Sequence, residues 1–220
     1  MTCNYIKYPR TFHLPYSLTI SDDDKRLESD EQFKQMKEVV VTIKMDGENT
    51  TVYPNGYIHA RSLDGNKNPW QNIVKRLIQN WFYMIPDGWR VCGENLQAKH
   101  SIGYTFKSIN DVFQVFGIYD ENNNCIAWDN VKNFCDECGI KTVPEIYRGP
   151  YDKEKILKAF QDYSKIVYPQ EVEGFVIRNA ESFPYEEFKN NTGKYVRANH
   201  VQTDTHWTQN WTNNQFLKNE

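Results

Sequence analysis

The chain has 220 residues, of which 26 are Lys or Arg and 29 are Asp or Glu, for a formal net charge of -3. That balance excludes a basic coat spread over the surface, so any polyanion site must be a local patch. Aromatic residues make up 15% of the chain, with 6 Trp and 14 Tyr, more rings than a core requires and a supply of flat surfaces for bases, sugars or partners.

Residues 1–20 carry Tyr5, Tyr8, Phe12, Leu14 and Tyr16 and read as an irregular or extended lead-in. Residues 21–38 are charged; Asp22 to Asp24 and Ser29 offer caps, and the acidic run is most simply a solvated loop. Val39 to Ile43 is a β-branched run that reads as a buried strand. It ends in Lys44-Met45-Asp46-Gly47. A lysine at the mouth of a buried strand, two residues before an aspartate, is an odd place for a merely solvated charge. Burial and nearby cations lower a lysine's pKa, and the neutral amine is a nucleophile.

Thr50 to Tyr53 is a second strand, Pro54-Asn55-Gly56 turns it, and Tyr57 to Arg61 returns in an antiparallel meander. Trp70, Ile73, Leu77, Ile78 and Trp81 fall at helical spacing, predicting one amphipathic helix over 69–84 that stops at Pro86-Asp87-Gly88. Trp89 to Asn95 and Val112 to Tyr119 read as strands, the latter turned by Asp120 to Asn124. Residues 129–138 and 152–166 read as helices, Val172 to Arg178 as a strand, and Lys194 to Ala198 as a final short one. Hairpins mixed with helices, without a βαβ rhythm, indicate α+β. No repeat and no Pro, Gly or Ser-rich linker divides the chain, so residues 1–220 read as a single domain.

The cysteines are Cys3, Cys92, Cys125, Cys135 and Cys138. Their odd number and the lack of a signal-like N-terminus argue against a secreted disulfide framework. Cys135-x-x-Cys138 is half of a zinc clamp, but no second C-x-x-C follows it. No apolar run reaches membrane-spanning length. The expectation is a soluble, cytoplasmic protein with no membrane partner.

Short motifs stand in one order: Lys44-Met45-Asp46-Gly47-Glu48-Asn49, Arg61-Ser62, Gly93-Glu94-Asn95, Phe116-Gly117-Ile118-Tyr119, Glu173-Gly174-Phe175-Val176-Ile177-Arg178, and Lys194-Tyr195-Val196-Arg197. Over residues 40–200 this series resembles the covalent nucleotidyltransferase superfamily of ATP-dependent ligases and mRNA capping enzymes. Within it the chain looks most like the RNA ligase 2-like branch common in phages. Each motif is short; their order and intervals carry the resemblance. Asn49 stands where DNA ligases of the superfamily usually carry arginine, which favours RNA ends. The resemblance implies the nucleotidyltransferase (adenylyltransferase) fold, an α+β arrangement of antiparallel sheets with flanking helices. It also implies an ATP-dependent RNA ligase. A lysine takes AMP from ATP, passes it to a 5′-phosphate, and the 3′-hydroxyl then expels it. The cofactors so implied are ATP, as covalent AMP, and Mg2+ or Mn2+. The partner is nicked or broken RNA, or an RNA/DNA hybrid. A DNA ligase or a GTP-using capping guanylyltransferase of the same fold is the alternative, and a non-catalytic nucleotide- or RNA-binding relative is the other.

The same resemblance implies roles. Lys44 is the nucleophile, its pKa lowered by metal or cationic neighbours. Asp46 shares its face if the strand continues, and orients the amine or the metal. Gly47 lets the backbone turn close to the nucleotide. Asn49 hydrogen-bonds the nucleotide or the nick, and the Ile43 backbone or the Thr42 side chain reads the adenine edge. Arg61 contacts the adenylate and the 5′-phosphate, Glu94 accepts from the ribose hydroxyls, and Phe116 stacks on the purine. Glu173 holds the divalent cation; nothing in strand packing asks for a glutamate before that glycine. Lys194 faces the α-phosphate.

The chain departs from the family pattern at the basic motif, usually K-x-K, because Val196 holds the second position. Arg197, Lys189 and Arg178 are the candidate replacements. His200, His206, Trp207 and Trp211 lack a catalytic spacing and read as packing rather than metal ligands. Lys67, Lys75, Arg76, Lys99 and Lys107 are a candidate phosphate patch, or else scattered solvated charges. Only some twenty residues follow the last motif, so no C-terminal OB-fold or helical domain is expected, and a partner protein is a candidate to replace it.

Overall fold

The computed structural model describes residues 4–20, 24–63, 68–198, 200 and 211–217. Asp22, Asp23, Lys67, His206, Trp207 and Cys3, named above, lie outside the described residues.

Eleven strands build two main sheets: β1 (Val39–Lys44), β2 (Glu48–Val52), β3 (Ile58–Ala60), β4 (Arg90–Asn95), β5 (Phe113–Tyr119), β6 (Asn124–Cys125), β7 (Lys141–Thr142), β8 (Glu145–Gly149), β9 (Gly174–Asn179), β10 (Phe183–Pro184) and β11 (Thr192–Val196). The smaller sheet runs β8-β1-β9-β11 and is antiparallel throughout. The larger runs β10-β6-β5-β4-β2-β3, with β7 added parallel to β5. The α+β arrangement of antiparallel sheets holds.

Strand alternation decides what faces the space between the sheets. On β1, Val39, Val41 and Ile43 turn into one core with Phe175 and Ile177 of β9 and Tyr195 of β11. Helix α3 (Lys153–Val167), capped by the Asp152 side chain, closes that core with Ile156 and Phe160. Thr42 and Lys44 therefore point the other way, as do Val176 and Arg178 of β9 and Thr192 and Lys194 of β11, and all six line a common cleft. Opposite them, the larger sheet packs on α1 (Asn72–Leu77) and α2 (Trp128–Cys138). Helix α2 ends at Gly139, whose φ of 65° is the left-handed cap that glycine adopts without strain.

The helix expected over 69–84 is broken. Only Asn72–Leu77 is α-helical, flanked by single 3-10 turns. Trp81 sits at φ -149°, outside the helical region, and its ring stacks on Phe113 at 6.1 Å. Tertiary packing of one large ring overrides the helical periodicity there.

The lead-in is not a loose approach. Leu14 N–H donates to the Lys194 carbonyl at 2.7 Å and Lys194 N–H to the Phe12 carbonyl at 2.9 Å, so residues 12–14 lie along the edge of β11. His13 also bonds Lys25 and Leu27, which brings the charged run 24–27 against the same edge. At the other end, Thr212–Asn213 pairs with Ala98–Lys99, Gln215–Phe216 runs parallel to Thr105–Phe106, and Trp211 meets Trp70 at 5.7 Å between ring centres. Among the described residues no helix is long and apolar enough to cross a membrane. Cys135 is buried in α2, and Cys138 of the same helix lies beside Met84.

Candidate active site

The cleft between the sheets has a volume of about 250 Å3. Lys44 enters it from the end of β1, and its Nζ donates to Glu173 Oε2 at 2.5 Å. Glu173, just ahead of β9, is 6% exposed. The Lys44–Gly174 register across β1 and β9 sets the two side chains together. Gly174 is required by the sheet itself, since a Cβ there would lie 1.8 Å from the Tyr195 carbonyl oxygen.

Burial pushes the Lys44 amine down, but Glu173, Glu94 and Asp46 outweigh it and hold the amine above the ordinary lysine value. This corrects the expectation that neighbouring cationic side chains lower its pKa. Three acidic side chains surround the amine, and among the described residues no cation outweighs them. Asp46 is also not on the strand, because β1 ends at Lys44. The connection fixes Asp46 instead: its Oδ2 accepts from Ile102 N–H at 2.7 Å, and its own N–H donates to the Tyr104 hydroxyl at 2.9 Å.

Gly47 N–H donates to Glu94 Oε1 at 3.0 Å. Gly47 is held close to protein backbone as well as to the cleft, for a Cβ would lie 2.4 Å from the Asn95 carbonyl oxygen. Desolvation pushes Glu94 up to about 8. Asn49 pairs across β2 and β4 with Glu94. Its Oδ1 is buried, lines this part of the cleft and accepts no hydrogen bond among the described residues. A buried acceptor without a donor is costly, and its place in the cleft fits a ligand donor. Opposite Cys92 and Gly93, β5 presents Gly117 and Val115, so Phe116 is the extra residue of a bulge. The bulge aims its ring toward the cleft, edge-on to Tyr8 at 4.9 Å. Arg61 is exposed at the cleft's rim.

Lys194 faces the cleft from β11, and its Nζ donates to Asp24 Oδ2 at 2.9 Å. The same oxygen meets His13 Nε2 at 2.9 Å, and Arg10 lies 3.9 Å from the other. Burial pushes the Lys194 amine down, Lys44 adds to this, and Asp24 opposes both. Burial pushes the Asp24 carboxyl up, but the hydrogen bonds from His13 and Lys194 outweigh it and hold the group well below the usual range.

One sequence expectation is corrected. Arg197 does not line the cleft; one residue past Val196, it falls on the opposite face, donating to the Val172 carbonyl at 2.8 Å and to Glu171 at 3.1 Å. Arg178 lines the cleft, but its guanidinium is committed to the Ile126 and Asn179 carbonyls and lies over Trp128 and Phe183. Ile43 lines the cleft with its N–H already donated to the Pro144 carbonyl at 2.8 Å, and Thr42 lines it too. Lys189 rests over the Phe12 ring, and none of Lys75, Arg76, Lys99 and Lys107 lines the cleft. Sequence reasoning missed Tyr8, Arg10 and Asp24, which line it from the lead-in. It also missed His200, buried beside Glu173 with Nε2 3.6 Å from Oε1. Asp46, Glu173 and His200 each bring a donor atom within 4.8 Å of the others. That donor set, two carboxylates and an imidazole, fits a divalent cation.

A protein-family model described as RNA ligase matches residues 37–196. No curated protein matches the chain in sequence. Among solved structures, an archaeal ATP-dependent RNA ligase is similar at a TM-score of 0.57 and 18% identity, over 86% of this chain and 48% of its own. An RNA ligase mutant of Naegleria gruberi with ATP and Mn is similar at 0.53 and 16% identity, over 86% of this chain and 60% of its own. The Naegleria gruberi RNA ligase with PPi is similar at 0.51 and 16% identity, over 88% and 61%. At such identities the likeness is one of fold. The chain spans about half the length of the archaeal relative.

Proposed function

The chain belongs to the RNA ligase family, and from that premise we propose that it is an ATP-dependent RNA ligase working through a covalent lysyl-AMP on Lys44. The observation that carries this reading is Lys44 paired with Glu173 at 2.5 Å beside a cleft that also holds Glu94, Lys194 and the unsatisfied Asn49 oxygen.

The Lys44 ammonium rests among acidic side chains. Mg2+ or Mn2+ held by Asp46 and Glu173 would draw their charge off the amine and lower its pKa. The unprotonated Nζ attacks the α-phosphorus of ATP. The N–P bond forms, the bridging P–O bond breaks, and pyrophosphate leaves in line. Lys194, turned from Asp24 toward the phosphate, offsets charge growing on the non-bridging oxygens. Glu94 offers its second oxygen to the ribose, Phe116 stacks on the purine, Thr42 meets the adenine edge, and Arg61 receives the incoming 5′-phosphate. AMP passes to that phosphate, and a 3′-hydroxyl displaces it to make the phosphodiester.

The substrate we propose is nicked or broken RNA, or an RNA/DNA hybrid, in the cytoplasm, that of the host if the gene is a phage's. Residues 1–220 act as one adenylyltransferase domain, with a partner protein supplying further grip on RNA. The test is intact mass after incubation with ATP and Mg2+. A gain of one AMP mapped to the Lys44 peptide is expected, and none in Lys44→Ala. Label taken from GTP alone would overturn the choice of nucleotide, and equal nick sealing by both proteins would overturn the nucleophile.

A further inference from the structure

Three side chains from distant parts of the chain converge beside Lys44. Asp46 comes from the β1–β2 connection, Glu173 from the head of β9, and His200 from four residues beyond β11. Glu173 is shared: Oε2 accepts from Lys44, while Oε1 faces His200 Nε2 at 3.6 Å. The Glu173 and His200 side chains are only 7% and 4% exposed, so the pair is withdrawn from bulk solvent. At 3.6 Å the contact is too long for a hydrogen bond. That distance lies in ion-pair range and also matches two ligands on one ion, since atoms each about 2.1 Å from a cation stand roughly 3–4 Å apart.

We infer that His200 is a nitrogen ligand of the divalent-cation site, which makes that site a mixed set of two carboxylates and one imidazole. This rests on the reading that Asp46 and Glu173 hold the ion. The consequence is metal preference. Mg2+ takes oxygen ligands and keeps its waters, whereas imidazole suits first-row transition ions. The site therefore favours Mn2+ over Mg2+. His100, whose Nδ1 lies 3.9 Å from Asp46 Oδ1, stands outside the three-residue set.

The test is Mn2+ titrated into the full chain without nucleotide and followed by electron paramagnetic resonance. The bound ion is expected to show a hyperfine coupling to a histidine nitrogen, which changes when histidine is isotopically labelled. His200→Ala is expected to lose that coupling and to weaken Mn2+ binding about tenfold or more, with Mg2+ competition moving less. His200→Asn, which offers an oxygen, keeps an ion without the nitrogen signal and guards against a misfolded alanine variant. Coupling that survives in both variants, or Mn2+ bound to the unaltered chain with no nitrogen coupling, overturns the assignment. Mn2+ that binds the unaltered chain nowhere overturns the carboxylate reading beneath it, a failure the absence of any bound-ion spectrum sets apart.

Discussion

At the scale of single residues, burial and charge neighbours compete in the site, and the winner differs from group to group. Lys44 and Lys194 both leave water, yet the first is held above its ordinary value and the second below it. The difference is the number of carboxylates in reach. Glu94 shows the opposite case, desolvation dominating and pushing it from 4.5 up to about 8. The folded chain thus keeps a proton that the unfolded chain releases between about pH 4.5 and 8, so stability falls as pH rises through that window. Glu94→Gln retains an oxygen for Gly47 N–H and removes the titration. It is expected to melt higher than the unaltered chain at pH 9, by about 2–4 °C for each kcal/mol recovered, with the gap closing near pH 4. A pH-independent difference would refute this. Lys44 and Glu173 were legible in the sequence because each closes or precedes an apolar strand where a charge has no packing reason, and Glu94 was legible through the family resemblance. His200 was not, because nothing in its local spacing marks a residue brought to Glu173 by the chain's path beyond β11.

At the scale of elements, alternation sorts the candidates. Lys194 and Arg197 are three apart, so one faces the cleft and the other the far side, where it meets Glu171. Arg197→Ala is expected to leave AMP uptake within about twofold, whereas Lys194→Ala loses at least about tenfold, a drop of roughly 1.4 kcal/mol in transition-state stabilisation. Equal losses in the two variants would contradict the strand's orientation. Gly174 is the tightest point of the small sheet. Gly174→Ala sets a methyl against the Tyr195 carbonyl and is expected to cost about 3 kcal/mol, read as a melting drop of roughly 6–12 °C. A drop under one or two degrees would show that β9 and β11 separate easily. The seven strands read from the sequence lie within two residues of observed ones because β-branched runs and Gly turns mark them, whereas β6, β7, β8 and β10 carry no such marks and were not read. The bulge at Phe116 and the break at Trp81 were not, since each depends on a ring finding its partner across the sheet.

At the scale of the whole molecule, the cleft draws on more of the chain than its motifs do. The family match begins at residue 37, but Tyr8, Arg10 and Asp24 already line the cleft. No local pattern announces them, since their role comes from residues 12–14 bonding to the backbone at Lys194. That docking bears on where a gene may be cut. A fragment begun at residue 37 would carry a raw β11 border, its polar backbone open to any neighbouring copy, and a lysine stripped of its counter-ion. It is expected to self-associate on size-exclusion chromatography while the full chain elutes as a discrete species. A well-behaved fragment that still takes up AMP would mean the first thirty-six residues are dispensable clothing.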